Sequence, residues 1–138
     1  MTTLEPEIRR LIAWLAKHMI PPSDTMPGAN QIDLAEAPLN LVLKYRPDLA
    51  SRLCSLPAVH PGDDCKAYLR LLEARQPVLY QALLHAILGA YYMHPEVKRR
   101  LGYHGQQALT LPRGGFGGEE LIEQLLSQPP RYRDPAGR

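Results

Sequence analysis

The chain has 138 residues, a formal net charge of +2, 45% hydrophobic residues and 22% charged residues, which are ordinary values for one globular domain. So small a charge excludes a nucleic-acid or acidic-membrane binder that works by bulk electrostatics. Two cysteines exclude a disulfide framework, and fourteen prolines will cut the helices short.

Leu4, Ile8, Leu11, Ile12, Leu15 and Met19 recur at helical spacing and predict a first helix ending near Met19. Thr3 is its expected cap, and Glu7, Arg10 and Lys17 fall on the opposite side. Pro21 to Gly28, PPSDTMPG, holds three prolines and a glycine and cannot continue it, so an ordered turn or exposed loop is expected. A helix starting near Asp33 or Pro38 should run to Tyr45, and a second from Pro47 to Leu56, the alternative being one kinked helix. Asp63 or Asp64 should cap a helix through Arg75 that turns Cys65, Tyr68, Leu69 and Leu72 inward.

Pro77 to Tyr92, PVLYQALLHAILGAYY, is apolar around nearly its whole circumference and predicts a central, buried helix over 77–92. Its apolar run of about 15 residues is short of the roughly 20 that a bilayer requires, so no direct membrane insertion is expected. Gln81, His85 and Gly89 lie four apart in one row where a neighbouring backbone could approach, and His85 is expected to be buried. His94-Pro95 stops this helix. Pro95 starts a short one whose Lys98, Arg99 and Arg100 complement its C-terminal end, and Gly102 is its expected left-handed cap. After Tyr103 the sequence loosens into the GGFGG segment. Glu119 and Glu120 then open a last helix carrying Leu121, Ile122, Leu125 and Leu126, which Pro129-Pro130 ends. No strand-like alternation occurs. The expected fold is all-α, an irregular bundle of six or seven short helices in one domain over 1–128, with a flexible basic tail over 129–138.

The chemistry-bearing residues form no recognisable constellation. The five histidines lack the i, i+4 pairing of a helical metal site, and HExxH is absent, so no metal site is assigned. GGFGGEE lacks the lysine and hydroxyl residue of a phosphate loop, and its two glutamates would repel an anion. Asp63-Asp64 and Glu119-Glu120 are adjacent pairs suited to helix starts, not to acid/base work. No serine lies in a nucleophile-elbow context. Lys98, Arg99 and Arg100 make a single basic cluster, too little for nucleic acid. Cys54 and Cys65 are expected as buried thiols, with one bridge as the alternative. No catalytic or cofactor-binding residue is therefore expected in this chain. Without a basic, apolar leader or a twin-arginine signal, the default expectation is cytoplasmic, and periplasmic only if the chain is exported with a partner.

Two stretches carry more. Leu15 to Ala29, LAKHMIPPSDTMPGA, ends a helix with IPP-D-x-x-PGA, and Leu88 to Gly105, LGAYYMHPEVKRRLGYHG, reads YY-x-x-P-x-V-x-x-x-LGY-x-G. In that order and at that separation they resemble the gluconate 2-dehydrogenase subunit 3 family. These are small helical accessory subunits of membrane-associated flavoprotein dehydrogenases of sugars and sugar acids. The resemblance implies a non-catalytic assembly subunit that binds a large FAD-containing catalytic chain of GMC type, with a cytochrome in some complexes. FAD and haem then belong to the partner subunits and no cofactor to this chain.

Within the second stretch, Tyr91, Tyr92, Lys98, Arg99 and Tyr103 are the candidate partner-binding residues, since tyrosine and arginine dominate interface hot spots. Two rival readings remain: a stand-alone ligand-binding domain or enzyme using His85 and neighbouring tyrosines in an interior pocket, and a self-associating domain of no catalytic function.

Overall fold

Prolines set where the helices begin. A proline in the first turn gives up no hydrogen bond and arrives with its φ already helical. It occupies one of the first two positions of α1 (Pro6–Met19), α2 (Ala37–Tyr45), α3 (Pro47–Leu53), α5 (Pro77–Met93) and α6 (Pro95–Arg100). The exception among the earlier helices is α4 (Cys65–Arg75), capped by the Asp64 carboxylate, which accepts from the Ala67 N–H at 3.2 Å. A last helix, α7 (Glu119–Leu126), opens on two glutamates.

The computed structural model describes residues 4–60, 62–108, 110 and 118–129. Among them the fold is all-α, with seven α-helices, one 3-10 turn at Ala29–Ile32 and no strand. Residues 1–104 form one compact unit and residues 105–138 a second, where one domain over 1–128 was expected. The Thr3 cap, Gly114–Gly117 and the basic tail from Arg131 lie outside the described residues.

The core of the first unit is aliphatic. Ile12, Leu15, Leu34, Leu39, Leu53, Leu83, Ile87 and Val97 are fully buried, and Tyr91 is the one buried aromatic side chain among the described residues. The inward side chains of α4 are as expected, with Cys65 and Leu72 buried and Tyr68 and Leu69 half-buried. Helices α2 and α3 are separate, because Arg46 (φ −130°, ψ 69°) leaves the helical region ahead of Pro47. Helix α3 stops at Leu53, three residues short of the expected Leu56.

Helix α5 packs against α2, α3, α4 and α6. It is not enclosed all round, and this corrects the sequence reading. Leu79, Ala82, Leu83, Ala86, Ile87, Ala90 and Tyr91 turn inward, whereas Val78, Gln81, His85, Leu88 and Tyr92 face solvent. Gly89 is where the close approach occurs, and the approaching group is the Val42 side chain of α2. A Cβ at Gly89 would stand 3.3 Å from Val42 Cγ2.

Candidate partner-binding site

The chain turns sharply between α5 and α6. His94 is extended (φ −67°, ψ 131°), as the residue before a proline must be, and its Nδ1 accepts from the Glu96 N–H at 3.2 Å. A histidine thus serves as the cap of α6, a role its sequence position did not announce. Val97 anchors the short helix in the core. Its far end closes in the paired pattern that a left-handed glycine permits. Gly102 sits at φ 69°, its N–H donates to the Arg99 carbonyl at 3.1 Å, and the Tyr103 N–H donates to Lys98 at 2.9 Å. The expected left-handed cap is present.

Glu96, the one acid of α6, pairs with two of the helix's three cations. Glu96 accepts from Arg99 Nη2 at 2.6 Å and from Arg100 Nε at 2.8 Å. These hydrogen bonds, Arg99 first and Arg100 second, hold its carboxyl below the usual carboxylate range. Arg100 also reaches back with Nη1 to the Thr25 carbonyl at 3.1 Å.

That contact joins the corner to the Pro21–Gly28 loop, and a second contact fixes the joint. The Tyr91 hydroxyl donates to the Pro27 carbonyl at 2.7 Å from a buried position. Burial foremost, then the neighbouring Tyr92, raises the Tyr91 hydroxyl above its ordinary value, so it remains a protonated donor. The loop is an ordered turn: Ser23 N–H bonds the Met26 carbonyl and Ala29 N–H bonds Ile20, both at 3.0 Å. Gln31 Oε1 accepts from the Gly28 N–H at 2.9 Å and starts the 3-10 turn. At Gly28 a Cβ would lie 2.7 Å from Pro22 N, so that position has no room for a side chain.

The five candidate residues divide accordingly. Tyr91 is structural and shows no side-chain surface for a partner, which removes it from the candidate set. Tyr92 and Tyr103 are 54% and 53% exposed, Arg99 projects from α6 although paired with Glu96, and Lys98 is half-buried. Leu101 joins them as an exposed apolar side chain, 54% accessible, which the sequence reading passed over. No family model matches the chain, and no match was found among curated proteins or solved structures.

Other expected sites look different in place. His85 is exposed, on the rim of an open cleft with Arg46, Asp48, Arg52, Val78 and Gln81, and not in an interior pocket. Cys65 is buried, but Cys54 is exposed, and both thiols are free. A cavity of about 480 Å³ lies between α4 and Pro57, Ala58, His60, Asp63 and Asp64. Its Asp63 and Asp64 carboxylates are committed to the His60 and Ala67 backbone N–H groups, and the Tyr68 hydroxyl to the Pro57 carbonyl. Among the described residues no cluster of His, Cys, Asp and Glu could hold a metal ion, and no helix is long and apolar enough to cross a membrane.

Proposed function

We propose that this chain is a non-catalytic helical subunit that binds and stabilises a large FAD-dependent dehydrogenase of sugars or sugar acids. The flavin, and the haem where a cytochrome takes part, are carried by the other subunits. One observation carries the reading. The two stretches that resemble the accessory-subunit family are joined in space, through hydrogen bonds between residues 64 and 75 positions apart. Residues spent on holding one corner in shape are what an assembly surface needs. The exposed side chains beside that joint, Tyr92, Arg99, Leu101 and Tyr103, are of the types that supply interface contacts.

The test is co-purification with a GMC-type FAD-dependent sugar dehydrogenase co-expressed with this chain. Arg99→Glu and Tyr103→Ala are expected to lower recovery of the complex at least tenfold while leaving the melting temperature within a few degrees. The isolated chain is expected to show neither flavin nor haem absorbance. Full retention of the partner by both folded variants, or a stoichiometric chromophore on the chain alone, would overturn the proposal.

A further inference from the structure

The cleft between α3 and α5 measures about 350 Å³, within the roughly 300–1,000 Å³ of small-molecule sites. Leu49 and Ala82, both buried, and Pro77 give it an apolar lining. Polar side chains reach it from both sides. Arg46, Asp48 and Arg52 come from α3 and the residue before it, and Gln81 and His85, one turn apart, come from α5.

These polar groups are of two kinds. Arg46 is held in place: its Nε and Nη2 donate side-on to the two Asp48 carboxylate oxygens, each at 2.8 Å. Those hydrogen bonds foremost keep the Asp48 carboxyl below the usual carboxylate range, so the acid stays ionised and the guanidinium stays fixed, with its Nη1 left over. Arg52, Gln81 and His85 are uncommitted. Their side chains make no hydrogen bond or ion pair among the described residues. Asp48 offsets one of the two arginine charges, and the cleft keeps a positive surplus.

We propose that this cleft binds a small organic molecule through an oxyanion group, a phosphate or a carboxylate. Arg52 supplies the matching charge and a planar fork of donors. Gln81 and His85 donate from the opposite wall, and the fixed Arg46 adds its Nη1. The carbon body that bears the anion rests on Leu49, Ala82 and Pro77. The site shares no residue with the α5–α6 corner and does not depend on the flavoprotein reading.

Titration of the full chain at constant ionic strength tests it, followed by two-dimensional NMR of the backbone amides. The probes are phenyl phosphate, benzoate and inorganic phosphate. Phenyl phosphate or benzoate should shift the amides of Arg52, Gln81, Ala82 and His85 saturably, and the tighter of the two names the anion. It should bind roughly fivefold more tightly than inorganic phosphate, which has no body to lay on the apolar lining. Arg52→Gln and His85→Ala should each weaken it by roughly five- to tenfold. Arg75→Gln, which removes an exposed cation from α4, should leave it unchanged. Melting temperatures within a few degrees of wild type show that each variant is folded. Shifts that saturate with neither organic anion, binding no tighter than that of inorganic phosphate, wild-type affinity in Arg52→Gln or His85→Ala, or an equal loss in Arg75→Gln would each overturn the proposal.

Discussion

Two glycines separate two physical reasons for having no side chain. Gly102 has open space around its missing Cβ but a φ of 69°, whereas Gly28 has an ordinary φ of −74° and no space. Gly102→Ala is therefore expected to lose about 1 kcal/mol through backbone strain alone. Gly28→Ala must push the loop away from Pro22 and should cost about 1–3 kcal/mol, the range of overpacked sites. Denaturant melts of the two variants check the order, and a Gly28→Ala variant as stable as wild type would mean the loop has slack. The Gly102 conformation was legible in the sequence, because a glycine after a run of cations is how a helix advertises its end. The crowding at Gly28 was not, since the colliding atom belongs to a residue six positions earlier across a turn. Tyr91 was misread for a related reason: adjacent tyrosines on a helix point about 100° apart, and composition does not say which one enters the core.

At the level of elements, proline and aspartate gave the starts of α2 to α6 because each acts through its immediate neighbours. The exposed side of α5 is the instructive miss. Hydrophobicity alone could not orient a helix that is apolar nearly all round, but Gln81 and His85 four apart already marked the outward row. The proline corner offers a pH test. Glu96 is depressed below its ordinary value of 4.5 by Arg99 and Arg100. Its contribution to stability is thus fully present above pH 4.5 and is lost as the pH falls through the lower folded value. Melting temperatures of wild type and Glu96→Gln should differ near neutrality and converge in acid. Curves that stay parallel down to low pH would show that this carboxylate does not hold the corner.

For the whole molecule, every buried side chain among the described residues lies between Leu4 and Val97. A chain ending at His104 is accordingly expected to keep a cooperative thermal transition, with a midpoint within a few degrees of the full chain. Loss of cooperativity would show that residues 105–138 contribute to the first unit's stability. The all-α class was legible from helical periodicity, the lack of strand alternation and the spacing of prolines. The division after His104 was not, because a single glycine, Gly105, looks the same in sequence whether it parts two units or turns the chain within one.

The bond from Tyr91 to Pro27 also has a consequence in time. Helices α2 to α6 follow one another with one-residue connections, save for the eleven residues between α3 and α4, so most of their contacts can form as soon as neighbouring segments exist. The joint between the Pro21–Gly28 loop and the end of α5 must instead wait for a closure of 64 residues. Contacts of that span tend to be absent from the rate-limiting ensemble, and removing one then changes the rate of escape more than the rate of arrival. Tyr91→Phe, which deletes the donor and leaves the ring, is expected to lose about 1–2 kcal/mol. Nearly all of that loss should appear as faster unfolding in stopped-flow chevrons, with the refolding limb scarcely moved. A slowed refolding limb would place this corner among the first parts of the protein to form.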